Sequence, residues 1–283
     1  MAHIELKVGG VHVWLLDCGA FRYDGGVIFG AVPKTSWQVY HLPDSENRIS
    51  VGLRPLLIRQ EDSFLLVNTA LPEDDPGLPS DPPGFRPVRQ ALAEVGVSPE
   101  EVAAVVLTHL HPDHIGGNLI VDEGQWRPAF PKARYLVQRA EAAAATFPNE
   151  RTRADYDPTQ LEALRQAGVL QLVNGRQRLS KAVQLLPAPG HTPGQQCVYI
   201  ADGGESALYT TDLAIVPVQA ERLTWISALD THPMQSLESK RELLGRAVEE
   251  GTLLLFEHEP DDARCWGRLL PDNKRWRFLP GVG

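Results

Sequence analysis

Four ionisable side chains lie within six residues near the middle of the sequence. The segment THLHPDHIGG, residues 108–117, contains His109, His111, Asp113 and His114 and directly follows the apolar run VAAVVL. Left without partners at the end of a buried strand, each of these polar groups would cost free energy. Imidazole nitrogen and carboxylate oxygen together suit zinc and neighbouring first-row metals. The segment therefore predicts a metal site.

Three further candidate ligands occur at the ends of other apolar segments. His191 lies in PAPGHTPGQ after the run VQLLP, Asp212 lies in YTTDLA, and His258 lies in LLLFEHEP. One loop cannot close a site for two metals, so ligands from other strands are required. Because α/β proteins place their chemistry in the loops after buried strands, these residues are expected to meet the first cluster.

Apolar runs separated by turn residues predict an alternation of strands and helices. Strands are predicted in VHVWLLDCG, LRPLLIRQ, SFLLVNTA and VAAVVLT, and a closing hairpin in WGRLLPDNKRWRFLP. Helices are predicted in RPVRQALAEVG, TQLEALRQAG and SLESKRELLGRAVEEG, with Ser236 as the N-cap of the last. The segment LPEDDPGLPSDPPGF predicts a loop, and its part from Pro76 to Pro83 is a candidate cover for a groove.

The composition limits the class of protein and its partners. The chain has 283 residues, a net charge of -9 and a sequence pI near 5.5, which disfavours a nucleic-acid partner because phosphate binding usually requires a basic surface. Three widely spaced cysteines, Cys18, Cys197 and Cys265, predict no disulfide framework. Since neither a signal peptide nor a long apolar run is evident, we expect a cytoplasmic protein without a membrane partner. With no linker between two compositions, we expect one domain, residues 1–283.

The joint pattern resembles the metallo-β-lactamase fold superfamily over nearly the whole chain. The matching features are HxHxDH, the histidine in PGHTPG, then an aspartate and a last histidine, in that order. The resemblance implies an α+β fold, a four-layer αββα sandwich. Two mixed β-sheets would lie face to face, with helices on both outer faces and the metals at one edge.

The same resemblance implies a site for two divalent cations, zinc first, with manganese, iron or cobalt as alternatives. One cation would be bound by His109, His111 and His191, the second by Asp113, His114 and His258, with Asp212 bridging both. A hydroxide held between the cations would attack a carbonyl carbon, since zinc alone can lower the pKa of bound water to about 7. Asp212 and Asp113 would be the catalytic residues, with Asp113 passing a proton to the leaving oxygen.

Three segments narrow the branch of the superfamily. YDGGVIFGAVPKTSW, ALDTHPMQS and WGRLLPDNKRWRFLP resemble the quorum-quenching N-acyl homoserine lactonases and their methyl parathion hydrolase relatives. This resemblance implies a hydrolase that opens acyl homoserine lactones or related esters. An acyl tail needs an apolar groove, and the candidate wall residues are Phe29, Trp37, Trp225 and Met234.

The sequence departs from that branch at three positions. The usual DTG or DAG after the third predicted strand is replaced by NTA, with Asn68 and Ala70. The usual aspartate orients ligands from behind, and Asn68 keeps its shape without its charge. A nearby acid is one way to replace that charge. Some lactonases also carry a tyrosine three residues after the bridging aspartate, where this chain has Ile215.

These departures leave three hypotheses open. The first is a small-molecule lactonase, the second an aryl ester or organophosphate triester hydrolase with the same metals. The third is a non-catalytic metal-binding scaffold in which Asn68 marks loss of function. Related enzymes are often dimers, which suggests a homodimer with the N-terminal segment at the contact.

Overall fold

A computed structural model describes residues 3–72, 85–273 and 275–281 of the chain. The predicted cover from Pro76 to Pro83 lies outside the described residues. The strands are β1 (His3–Val8), β2 (Val11–Leu16), β3 (Ala20–Asp24), β4 (Arg48–Gly52), β5 (Leu56–Arg59), β6 (Phe64–Val67), β7 (Val102–Val106), β8 (Leu119–Asp122), β9 (Gln125–Pro128), β10 (Arg134–Gln138), β11 (Leu170–Val173), β12 (Gln177–Arg178), β13 (Val183–Pro187), β14 (Gln196–Asp202), β15 (Glu205–Tyr209), β16 (Leu253–Leu255), β17 (Trp266–Asp272) and β18 (Arg275–Pro280). The α-helices are α1 (Gly25–Phe29), α2 (Lys34–Trp37), α3 (Val88–Glu94), α4 (Pro112–Ile115), α5 (Arg139–Thr146), α6 (Pro158–Gln166), α7 (Pro217–Glu221) and α8 (Pro233–Glu250).

Two mixed sheets contain most of the strands. The first has the order β1-β2-β5-β6-β7-β10-β11 and is parallel from β6 onward. The second has the order β12-β13-β14-β15-β16-β17-β18 and is parallel only between β15 and β16. The predicted closing hairpin is present as β17 and β18, which pair antiparallel.

The sheets pack face to face through a buried aliphatic core. Alternating residues of the strands point inward, because successive side chains of a strand lie on opposite faces. The inner layer includes Val13, Leu15, Leu56 and Ile58 from the first sheet and Val183, Leu185, Val198 and Ile200 from the second. This alternation accounts for the apolar pattern seen in the sequence.

Helices cover the outer face of each sheet. α3, α5 and α6 pack on the first sheet through a second apolar cluster that includes Leu92, Ala142 and Leu164. α7 and α8 pack on the second sheet through Ala220 and Leu244. The four-layer αββα arrangement expected from the sequence is therefore confirmed.

The longest helix begins earlier than predicted. α8 begins at Pro233 with His232 at the N-cap position, whereas the sequence suggested Ser236 as the cap. Proline is favoured at the first helical position because the missing N–H would be unpaired there in any case. Ser236 is instead buried in the first turn.

All three cysteines are free and buried. Among the described residues, no helix combines the length and apolarity needed to cross a bilayer.

Candidate metal centre

Four strands of the two sheets end at one edge, and the loops that follow them carry all seven predicted ligands. β7 leads to His109 and His111, and the one-turn helix α4 carries Asp113 and His114. β13 leads to His191. Asp212 lies on a single 3₁₀ turn after β15, and His258 follows β16. The structure brings these side chains together from segments up to 149 residues apart (258 − 109).

Two glycines permit the close packing of the ligand loops. A β-carbon on Gly116 would lie 2.3 Å from Pro72, and one on Gly190 would lie 2.3 Å from the backbone nitrogen of Ser236. Gly190 also has a φ of +143°, which L side chains rarely adopt. Both positions therefore require glycine.

The first group of ligands, which we call the histidine-rich half, consists of His109, His111 and His191. Nε2 of His191 lies 3.1 Å from Nδ1 of His111 and 3.2 Å from Oδ2 of Asp212. Nδ1 of His191 donates to Oδ1 of Asp230 at 2.9 Å. Nε2 of His109 is buried and has no hydrogen-bond partner in the described structure. Ring nitrogens of His109, His111 and His191 therefore lie close together, as ligands of one cation would.

The second group, the acid-rich half, consists of Asp113, His114 and His258. Nε2 of His258 lies 3.2 Å from Nε2 of His114, and Oδ1 of Asp212 lies 3.1 Å and 3.3 Å from these two nitrogens. Oδ2 of Asp113 lies 3.6 Å from Nε2 of His114 and 3.8 Å from Nε2 of His258. Asp212 thus directs one carboxylate oxygen at each half.

The hydrogen bonds of the two imidazole rings in the acid-rich half indicate which ring nitrogens are available to bind a cation. Nδ1 of His258 donates to the carbonyl oxygen of Gly52 at 2.8 Å, and Nδ1 of His114 donates to Glu257 at 3.0 Å. In a neutral ring the proton is then on Nδ1, so Nε2 carries a lone pair. The Nε2 lone pairs of His114 and His258 face each other in a buried site. Their separation matches the edge of a zinc tetrahedron, about 3.3 Å for Zn–N bonds of about 2.0–2.1 Å. The residues fit a divalent cation.

The histidines of the two halves differ in proton affinity. Burial opposes charge on His191, but Asp212 and Asp230 raise its pKa. Burial lowers the pKa of His109 and of His111 well below the ordinary value, and neighbouring imidazoles lower both further. Burial also opposes charge on His114, but nearby carboxylates, that of Glu257 foremost, raise its pKa to about 10. Asp212 outweighs burial at His258 and raises its pKa to about 9.

The carboxylate of Asp212, which lies between the two halves, is ionised in this setting. Burial by itself would raise the pKa of Asp212, but the surrounding histidines, His114 first, hold it well below the ordinary range. In the acid-rich half, protons bind the imidazoles when no cation does. Cation binding must therefore release protons, as is general for histidine ligands.

Sequence reasoning missed three buried acids that support the ligands. Asp230 accepts from His191, and Glu257 accepts from His114. Glu141 of α5 accepts from the backbone of Leu110 and of Gly194, each at 3.0 Å, and so joins two ligand loops. Glu257 and Asp230 lie in LLLFEHEP and ALDTHPMQS, two segments already singled out. Glu141 lies in a segment that the sequence did not mark as functional.

Asn68 lies behind the acid-rich half, at the end of β6. Its Oδ1 accepts from the backbone N–H of Thr108 at 3.0 Å, and its Nδ2 donates to Oε2 of Glu257 at 2.7 Å. Asn68 has a φ of +62°, a region that asparagine tolerates better than most residues. The amide is completely buried.

A cavity of about 660 Å³ opens over the cluster. Its floor is formed by His111, Asp113, Asp212 and His258, its wall by Phe21, Ile28, Val51, Leu71, Ile215 and Leu229, and its rim by polar residues that include Arg22, Tyr23, Arg48 and Asp155. A larger groove of about 1110 Å³ between the β8–β9 hairpin and α6 contains none of the clustered side chains. The smaller cavity is therefore the candidate substrate site.

The structure differs from the predicted pocket wall. Phe29 and Trp37 are buried, stack on each other with centroids 5.1 Å apart, and lie in a small apolar cluster with Ile49 of β4. Trp225 packs edge-on against Phe29, and Met234 is 70% exposed on α8. None of the four lines the cavity over the cluster. The residue type alone therefore did not show whether a side chain lines a pocket or packs in the core.

The sequence matches the metallo-beta-lactamase superfamily over residues 56–256. An N-acyl homoserine lactonase from a Bacillus species is 28% identical over 174 residues, which are 61% of this chain and 62% of that protein. The chain thus spans less than two thirds of this relative's length.

Two solved structures share the fold across almost the whole chain. A probable metal-dependent hydrolase from Staphylococcus aureus superposes with a TM-score of 0.86 at 22% identity, covering 98% of this chain and 99% of that one. AidC, a dizinc quorum-quenching lactonase solved with a product N-hexanoyl-L-homoserine, has a TM-score of 0.82 at 19% identity, with coverage of 100% and 98%. At these identities the similarity shows the fold.

Proposed function

Because this chain belongs to the metallo-beta-lactamase superfamily, we propose that it is a metal-dependent hydrolase that opens N-acyl homoserine lactones. The observation that carries the proposal is the position of Asp212. Its two oxygens lie 3.2 Å from His191 on one side and 3.1 Å from His258 on the other. A buried carboxylate held between two histidine groups suits a pair of bridged cations.

Two divalent ions, zinc foremost, would be held by the two halves. When bound, such ions polarise a carbonyl oxygen and lower the pKa of water to about 7. The chain's own residues then orient these ligands. Asp230, Glu257 and the carbonyl of Gly52 each fix one imidazole tautomer, which is what groups behind metal ligands do in general.

Asp113 is the group placed to move a proton. Its side chain is 24% exposed, more than His114, His191, Asp212 or His258, and it lines the cavity floor. In hydrolysis the water oxygen bonds to the lactone carbonyl carbon and the ring C–O bond breaks. Asp113 would accept the proton of the water and deliver it to the leaving alkoxide. The acid product then ionises and releases a proton to solvent.

The cavity wall supports an acyl substrate. Phe21, Val51 and Leu229 form part of an apolar surface next to the cluster, which is the environment that an alkyl tail requires. The polar rim with Arg22 and Tyr23 lies farther along the same wall. A lactone ring at the floor would leave its acyl chain against the apolar residues.

The direct test is turnover by protein with defined metal content. Chain reconstituted with two zinc ions should acidify a weakly buffered solution of N-acyl homoserine lactones, and chelator-treated chain should not. Failure to turn over any acyl chain length, with both zinc ions present, would refute the lactonase proposal.

One residue favours a second candidate. Ile215 lines the cavity where some lactonases carry a tyrosine, so the substrate carbonyl has no hydroxyl donor there. An aryl ester or organophosphate triester hydrolase does not depend on that tyrosine. Higher kcat/KM for paraoxon-type triesters or aryl acetates than for lactones would favour this candidate, and no turnover of any of the three would favour a scaffold.

A further inference from the structure

Glu257 is a completely buried carboxylate directly before a predicted ligand. It follows β16, and its Oε2 lies 3.0 Å from Nδ1 of His114. The opposite nitrogen of that ring, Nε2, faces Asp212 at 3.3 Å. The imidazole therefore stands between Glu257 and the ligand atoms. In this position Glu257 contacts the ring nitrogen that faces away from Asp212 and can orient His114.

Asn68 is arranged to hold this carboxylate. The backbone N–H of Thr108 fixes Oδ1 of Asn68, so the amide nitrogen must point the other way. That nitrogen lies 2.7 Å from Oε2 of Glu257 and 2.9 Å from Nδ1 of His114. Since an N–H cannot accept from His114, the acceptors of this amide are Oε2 of Glu257 and, at 2.9 Å, Oγ1 of Thr108, and the shorter contact is the one to Glu257.

The two residues depend on each other. An aspartate in place of Asn68 would bring a second carboxylate oxygen to about the position of the amide nitrogen, against Glu257. Two buried carboxylates in contact cannot both remain ionised without a large cost. With Glu257 neutralised, however, that aspartate oxygen would face Nδ1 of His114 and could accept its proton.

We propose that Glu257 is the positioning residue of the acid-rich half and that Asn68 is the donor that holds it in place. The carboxylate fixes the tautomer of His114, keeps Nε2 free for a cation and raises the basicity of the ring. The negative charge behind His114 thus comes from the strand end that also supplies His258. This inference rests on the metal site of the proposed function and not on its substrate.

The test moves the negative charge behind His114 from position 257 to position 68 and measures the effect on zinc affinity. Full-length chain, Glu257→Gln and the double variant Glu257→Gln/Asn68→Asp are stripped of metal and titrated with zinc against a chromogenic chelator. Glu257→Gln should bind one of two zinc ions about 10- to 100-fold more weakly, the range typical for groups behind ligands. The double variant should recover most of this loss, because the aspartate again offers His114 a carboxylate.

Glu259→Gln is the matched control. Glu259 flanks His258 on the other side, is also buried, and contacts His41 at 3.8 Å and the backbone of Asp261 at 3.2 Å. None of these contacts is with a predicted ligand, so zinc affinity should not change. Circular dichroism verifies the fold of each variant. If Glu257→Gln does not fold, Glu257→Asp, whose shorter side chain retracts from His114, should show the same loss.

Four results would overturn the inference. Wild-type zinc affinity in Glu257→Gln would show that the carboxylate is not needed, while leaving the proposed function intact. Equal losses in the Glu257 and Glu259 variants, or no recovery in the double variant, would indicate general disruption. Wild-type chain that binds no zinc would remove this inference and the proposed function together.

Discussion

The histidine-rich and acid-rich halves both contact the carboxylate of Asp212 but differ in their surroundings. His109 and His111 have pKa values lowered by burial and by each other, so they are neutral lone-pair donors. His114 and His258 have pKa values raised to about 10 and about 9 by the carboxylates around them. His191, which contacts Asp212 and Asp230, also has a raised pKa. The contrast therefore separates His109 and His111 from the three histidines that carboxylates surround.

The difference lies in the number of carboxylates. The histidine-rich half has Asp230 behind it, whereas the acid-rich half has Glu257 behind it and Asp113 beside it. A divalent cation is bound more strongly where more carboxylates surround it, although protons compete with the cation for the histidine nitrogens. We expect the acid-rich half to hold its cation more tightly at pH values above about 10, where protons no longer compete for His114 or His258.

The largest effect is expected from removing the shared carboxylate. Asp212→Ala should lower kcat/KM by more than about 10³-fold, because it removes a charge that both halves use and leaves their cations to repel each other. Elemental analysis should show fewer than two zinc ions per chain. Asp122→Ala, an exposed residue of the β8–β9 hairpin, is the control and should behave as wild type. Full zinc content with normal turnover in Asp212→Ala would contradict the bridge.

Removing one histidine from each half separates the two sites. His191→Ala and His258→Ala should each lose one zinc ion and at least about 10²-fold in kcat/KM, since both cations are needed for turnover. At pH 10.5, above the pKa of His114, the ion that remains in His191→Ala should be more tightly held than the ion that remains in His258→Ala, because the acid-rich half is intact in His191→Ala. Competition with a chelator measures this order, and the reverse order would contradict the comparison.

The ligands could be predicted because each follows an apolar strand. Buried strands force the polar residues after them to one edge of the sheets, so the sequence alone places His109, His191, Asp212 and His258 together. The layer architecture was implied by the family resemblance that these residues carry, and it is confirmed. Ser236 was misassigned as a helix cap because Pro233, three residues earlier, begins the helix.

Side-chain surroundings could not be predicted in the same way. Whether Phe29 and Trp37 face a cavity depends on how α1 and α2 fold against β4, and the structure places both in a separate core. Glu257 could not be paired with His114 because the contact joins residues 143 positions apart (257 − 114) through a rotamer choice. Periodicity indicates which face is buried, not which buried groups touch.

A buried lysine near Asp230 makes a pH-dependent contribution to the stability of the folded chain. Nζ of Lys240 donates to the carbonyl oxygens of Trp225 and Gln219, and burial lowers its pKa from 10.5 to about 8, with Asp230 opposing the shift. Between these pH values the unfolded chain holds a proton that the folded chain has released, so stability should rise with pH in this window.

Lys240→Met should lack this rise. The difference in unfolding free energy between wild type and Lys240→Met should change by on the order of 3 kcal/mol between pH 8 and pH 10.5 in favour of wild type. Urea unfolding of both proteins at a fixed zinc concentration measures this difference. Groups that titrate equally in both proteins contribute equally to the two free energies and cancel in the difference. A constant difference across the window would show that Lys240 keeps its ordinary proton affinity.

The smallest effect tests whether each supporting acid acts on its own half. Asp230→Asn keeps an oxygen that accepts from Nδ1 of His191 but loses the charge, so zinc affinity should fall only about tenfold, the lower end for such groups. The loss should appear in the His258→Ala background, where the histidine-rich half alone holds zinc. It should be absent in the His191→Ala background, because the residue that Asp230 orients is missing there. Equal losses in both backgrounds would mean that Asp230 acts through the general electrostatic field of the site, and the two halves would then have to be treated as a single unit.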